Sequence, residues 1–115
     1  MKIDGVDIME DPIVHQFLEC CKSMVGKGVI KTIYLFGSRA KGTARPDSDY
    51  DFLVVVSDAF SLHDKDALYD QVIDILLESG RLVSLKLFRE GVFRRLCDMR
   101  TPFTSHVLKE GVRVG

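Results

Sequence analysis

The sequence predicts a small α/β protein of the α+β kind, with helices packed on a mixed β-sheet. Apolar residues recur at helical spacing at Ile13, Phe17, Leu18, Cys21 and Met24, and again at Leu68, Val72, Ile75 and Leu76. Three other runs, 29–36, 49–56 and 82–88, are strand-length and rich in β-branched or aromatic residues. The 115 residues are 46% hydrophobic and 29% charged, without low-complexity tracts, which suits one continuous core. A single domain spanning 1–115 is expected.

Each element has its own punctuation. Asp11 is placed to cap a first helix that Pro12 opens, and Gly26 and Gly28 are placed to end it. Strand 29–36 follows, then a short helix beginning near Arg39, Ala40 and Lys41, then strand 49–56. In that strand Asp49, Asp51 and Leu53 share one face, and Tyr50, Phe52 and Val54 share the other. A helix over 62–77 stops at Gly80. Strand 82–88 and a short helix over 90–98 come next, and Thr101-Pro102 opens a last helix ending at Gly111. Residues 2–7 hold two acids around a glycine but lack the twelve-residue loop of a calcium site, so they read as a short terminal segment.

Charge and cysteine usage narrow the function. The 16 basic and 17 acidic side chains leave a net charge of -1, with no basic excess to grip a nucleic-acid backbone. Direct nucleic-acid binding is therefore not expected. No apolar run approaches the roughly 20 residues of a membrane span, and the start Met1-Lys2-Ile3-Asp4 lacks a secretory apolar core. A cytoplasmic protein is expected. Cys20, Cys21 and Cys97 form no C-x-x-C pair and read as reduced packing thiols; His15, His63 and His106 fall on three different helices.

The informative stretch is LFGSRAKGTARPDSDYDFLVVV, residues 35–56, which contains G-S-x10-D-x-D. Gly37 lets the backbone turn sharply off a strand and approach a phosphate, and Ser38 offers a hydroxyl and an amide N–H to that anion. A short helix begun by Arg39, Ala40 and Lys41 would add further N–H groups. Asp49 and Asp51, one residue apart on a strand, project to one face and repel each other. A divalent cation resolves that repulsion, because Mg²⁺ binds through one or two carboxylates and takes its other oxygens from water and substrate phosphates.

This constellation resembles the nucleotidyltransferase fold of the DNA polymerase beta superfamily, in its short or minimal form. Gly37, Ser38, Asp49 and Asp51 occupy the motif positions, Gly42, Ser48 and the run from Phe52 to Val56 also fit, and the resemblance covers about 29–88. The tail from Thr101 to Gly111 is similar to the endings of small archaeal and bacterial members. The resemblance implies transfer of a nucleoside monophosphate from a nucleoside triphosphate to a hydroxyl, with two metal ions on Asp49 and Asp51. It also implies that Gly37 and Ser38 hold the β- and γ-phosphates, with Arg39 or Lys41 adding charge; Arg45 ranks last. Small members of this kind are found with separate helical HEPN-type partners, some as the antitoxin of a toxin–antitoxin pair.

One position departs from the family. A third carboxylate is commonly supplied by the next strand, and here that strand is Leu82-Val83-Ser84-Leu85-Lys86-Leu87-Phe88, which contains no acid. Ser84 falls where the third acid stands, and Lys86 shares its face. Glu90 and Asp98, on the following helix, are acids that could reach back. Two readings therefore stay open beside each other, an active transferase and a catalytically impaired nucleotide-binding or partner-binding module. A third reading is an interaction protein in which D-x-D is left over. The acceptor, including a tRNA brought by a partner, and the oligomeric state, including a homodimer, are also open.

Overall fold

The helix boundaries follow from their caps. The computed structural model describes residues 2–3, 6–41, 45 and 48–115, apart from the side chains of 2, 3, 6, 7, 9, 38 and 41. Strands β1 (Lys2–Ile3) and β2 (Val6–Asp7) pair antiparallel, and a 3-10 turn at Ile8–Glu10 leads to α1 (Pro12–Gly26). The Asp11 carboxylate accepts from the Ile13 and Val14 N–H groups and caps α1. The chain continues through β3 (Ile30–Phe36), α2 (Ser38–Lys41), β4 (Tyr50–Val56) and α3 (Leu62–Ser79). Ser61 and Asp64 form a reciprocal capping box on α3, and Gly80, at φ 73°, closes it with its N–H on the Leu76 carbonyl. Then come β5 (Val83–Arg89), α4 (Glu90–Asp98), α5 (Pro102–Glu110) and β6 (Val112–Arg113).

The main sheet has the order β5-β4-β3-β6. Strands β3 and β4 run antiparallel, β4 and β5 parallel, and β6 antiparallel to β3. The parallel pair follows from α3, because a crossover helix is what allows a strand to return in the same direction. Two features go beyond the sequence expectation. The terminal segment forms the β1–β2 pair, and the last residues add β6 as a fourth strand, held to β3 at Tyr34 and Leu35. Gly42, part of the expected motif, lies outside the described residues.

Both faces of β4 are covered, so Phe52 through Val56 are all buried. Tyr50, Phe52, Val54 and Val56 pack with Phe17 and Cys21 of α1 and Leu68, Val72 and Ile75 of α3. The Phe17 and Phe52 rings stack at 4.2 Å. On the opposite face Leu53 and Val55 meet Phe93 of α4 and Val107 of α5, with Tyr34, Phe36, Phe88 and Phe103 around them. Phe103 meets Phe36 edge-on at 5.7 Å. Asp51 belongs to this second face by alternation and sits at its end. No helix among the described residues is long and apolar enough to cross a membrane.

The second face depends on how α4 and α5 are joined. Thr104 is fully buried, and its hydroxyl donates to the Leu96 carbonyl near the end of α4, which also accepts from the Thr101 N–H. Thr104→Val keeps the shape and removes the donor, so it should lower unfolding stability by about 1–2 kcal/mol, with Thr104→Ser losing less. Urea unfolding of the three proteins checks this. A valine variant as stable as the parent would show that the bond contributes nothing.

Candidate functional site

The end of β4 is where the sequence motif becomes three-dimensional. Asp51 lies between Phe36 on β3 and Ser84 on β5, its register partners. The next residue after Phe36 is Gly37, which turns the chain out of the sheet at φ 77°. A Cβ on Gly37 would stand 2.6 Å from Asp51 Oδ2, so the glycine is required twice, by the left-handed backbone and by the close approach of the carboxylate. Helix α2 starts at Ser38, immediately beyond. The spacing in the sequence thus brings Gly37 and Asp51 into contact.

Electrostatics at Asp51 reflect its position. Burial holds its carboxyl above the usual carboxylate range; the charge of Asp49 adds to the rise and Lys86 opposes it. Asp49 precedes the strand and is exposed, and Ser84 is half-buried. Among the described residues no group of three or more His, Cys, Asp or Glu converges in a way that could hold a metal ion. Asp49 and Asp51 are the two carboxylates of the motif that could hold a divalent cation, since oxygen is the ligand Mg²⁺ takes. Glu90 does not serve as a third acid, because β5 carries it past Arg89 to the far end of the sheet, roughly 20 Å from Ser84. Asp98 ends α4 and is exposed.

The other expected residues divide. The side chains of Ser38 and Lys41 lie outside the described residues. Arg39 is drawn to the Tyr50 side of β4: its Nη2 donates to the Ser48 carbonyl at 2.9 Å, and its guanidinium lies 4.2 Å from the centre of the Tyr50 ring. These contacts hold Arg39 beside Ser48 and Tyr50. Arg45 is exposed, and its N–H donates to Ser48 Oγ.

Two residues escaped the sequence reading of the site. The Tyr50 hydroxyl donates to Asp11 Oδ2 at 2.8 Å, while Oδ1 of the same carboxylate caps α1. One side chain thereby ties the start of α1 to the residue between Asp49 and Asp51. Burial, then the bond to Asp11 and its charge, push the Tyr50 phenol up to about 12, against the opposing charges of Arg39 and Arg81. The signal was a tyrosine on the core face, since a buried phenol needs a partner. A separate groove of about 320 Å³, lined by Leu18, Val25, Ile33 and Val114 among others, runs beside α1 and includes none of these site residues.

Tyr50→Phe should cost about 1–2 kcal/mol and Asp11→Ala more, because the cap is lost too. The double variant should cost less than their sum, and strict additivity in urea unfolding would show the bond to be idle. For Asp51 the sign runs the other way. An acid whose folded pKa lies above its unfolded value, about 3.9 for Asp, binds protons more readily when folded. Its penalty is absent below that pH and is fully present once pH exceeds the raised folded value. With a chelator present, Asp51→Asn should therefore melt a few degrees above the parent at pH 7, the gap closing toward pH 4. Coincident melting curves at pH 7 would remove the argument.

Residues 14–109 match the nucleotidyltransferase domain family. A Methanocaldococcus jannaschii protein, provisionally named a protein adenylyltransferase, is 32% identical over 106 residues, which cover 89% of this chain and 94% of that protein. A chain in a crystal structure of a toxin–antitoxin with AMP-PNP superposes with a TM-score of 0.53, at 18% identity, over 87% of this chain and 70% of that one. A chain from Sulfolobus solfataricus, provisionally named a nucleotidyltransferase, overlaps at a TM-score of 0.46, with 19% identity and coverage of 93% and 90%. Since the family match runs from within α1 to the last turn of α5, and the acids that open β4 lie inside it, this chain belongs to the nucleotidyltransferase domain family.

Proposed function

We propose that residues 1–115 form one metal-dependent adenylyltransferase domain, moving AMP from ATP to a hydroxyl on a partner protein. The observation that carries the reading is Asp51 seated against the side-chain-free Gly37 turn at the end of the central strand. The 32% identity to a provisionally named protein adenylyltransferase supports both adenine and a protein acceptor. The toxin–antitoxin neighbour supports a separate partner chain, which we take to be helical and HEPN-type; a cytoplasmic setting is part of the same proposal.

In this reading Asp49 and Asp51 hold Mg²⁺, which when bound neutralises phosphate charge and makes the α-phosphorus easier to attack. The Gly37-Ser38 turn receives the β- and γ-phosphates, with Lys41 as an added positive charge. Tyr50, fixed by Asp11 and Arg39, keeps both carboxylates at a constant distance from that turn. The acceptor oxygen forms a bond to the α-phosphorus, the bond to the bridging oxygen breaks, pyrophosphate leaves with that oxygen, and the hydroxyl proton is released. A second reading, a nucleotide-binding module with impaired catalysis, is favoured by Ser84 standing beside Asp51 where an acid would complete the set.

Thermal unfolding with each of the four nucleoside triphosphates, with and without Mg²⁺, tests the site. ATP with Mg²⁺ should raise Tm most, and Asp49→Ala/Asp51→Ala should abolish the rise, since only a ligand of the folded state stabilises it. No shift with any nucleotide would defeat the reading. Label transfer from α-³²P ATP to a co-expressed partner separates the two alternatives: absent in the parent but gained in Ser84→Asp, it would favour the impaired module.

A further inference from the structure

The strand beside Asp51 carries a cation, Lys86, close to the acids of the site. Because β4 and β5 are parallel and in register, Ser84 is level with Asp51 and Lys86 with Leu53, so Lys86 lies on the same face one alternation further in. The next residue of that row, Phe88, is already in the aromatic cluster with Phe93 and Phe103. Lys86 is exposed, and its charge is felt at Asp51. It stands across Asp51 from Gly37, on the side that β5 closes.

Charge counting then limits what the seat can hold. Asp49 and Asp51 bring two negative charges and Lys86 returns one positive, so the three residues together carry one negative charge. One divalent ion reverses that sign. A second would have to share the same two carboxylates next to an ammonium, with no third His, Cys, Asp or Glu grouped there among the described residues. We propose that the site takes a single divalent cation per chain, brought with the triphosphate, and that Lys86 supplies the other positive charge directly to the nucleotide's phosphates. The inference rests on the nucleotide-binding reading above and differs from the two-ion arrangement that the family resemblance implies.

The test counts ions without needing turnover. Mn²⁺ is titrated into the protein and followed by its electron paramagnetic resonance signal, with and without the non-hydrolysable analogue α,β-methylene-ATP. One Mn²⁺ per chain in the ternary complex is expected. Lys86→Met should bind the analogue about tenfold more weakly, as loss of a charge-assisted contact does, while Lys86→Arg should stay near the parent. The double variant Ser84→Asp/Lys86→Met should gain a second Mn²⁺. Two ions on the parent, or unchanged analogue affinity in Lys86→Met, would overturn the single-cation proposal and leave nucleotide binding intact. No Mn²⁺-dependent binding of the analogue would defeat the nucleotide reading itself. Circular dichroism and Tm of each variant separate these outcomes from misfolding.

Discussion

The contact between Gly37 and the Asp51 carboxylate is the constraint on which the site depends. It can exist only because β3 and β4 are antiparallel neighbours with Phe36 opposite Asp51, so that the turn leaving β3 begins one residue from the carboxylate. That register is enforced from both sides of the sheet. A slip by one residue would turn Phe52 and Val54 out of the α1–α3 layer and push Asp51 into it. The long apolar core is therefore also what holds Asp51 against the Gly37 turn.

A strand end is normally the place where a sheet frays, yet here it must be rigid. The structure supplies rigidity through polar ties that run across the chain. Asp11 caps α1 and holds the Tyr50 hydroxyl; Arg39 covers the Tyr50 ring and holds the Ser48 carbonyl; the Tyr50 N–H donates to Leu82. The first helix, the loop after Gly37 and the start of β5 thus meet at the residue separating the two acids. These ties lie on the Tyr50 side of β4, opposite the face that carries Asp51.

Much of this was legible in the sequence because it is local. Asp11-Pro12, Thr101-Pro102 and Gly80 mark helix ends by their own backbone chemistry, and alternation alone separates Asp51 and Leu53 from Tyr50 and Phe52. The family resemblance put Ser84 at the third-acid position, and the strand register sets it beside Asp51. What escaped is long-range. Strand β6 is two residues long and has no periodicity of its own, existing only because β3 offers an edge. The Asp11–Tyr50 bond joins residues 39 apart, and the capping role of Asp11 gave no hint of its second partner. The resemblance implies that Arg39 or Lys41 adds charge at the phosphates; what the sequence did not reveal is that Arg39 also contacts the Tyr50 ring and the Ser48 carbonyl.

The two faces of β4 bear on what the proposed transfer to another chain would require of that chain. The apolar residues of β4, Phe52 to Val56, are used in closing both sides of the sheet, and beside them Asp49 and Lys86 are exposed while Asp51 and Ser84 are half-buried. Phosphoryl transfer gains most from charge stabilisation when water is excluded, because the same charges interact more weakly in a wet site. Among the described residues, the Gly37 turn and β5 flank Asp51 and leave Asp49 in solvent. In the proposed reading the acceptor, which has to be present at the moment of transfer, would supply further cover. An acceptor that both presents its hydroxyl and dries the carboxylates would make chemistry conditional on docking, so that selectivity and rate would rest on the same surface.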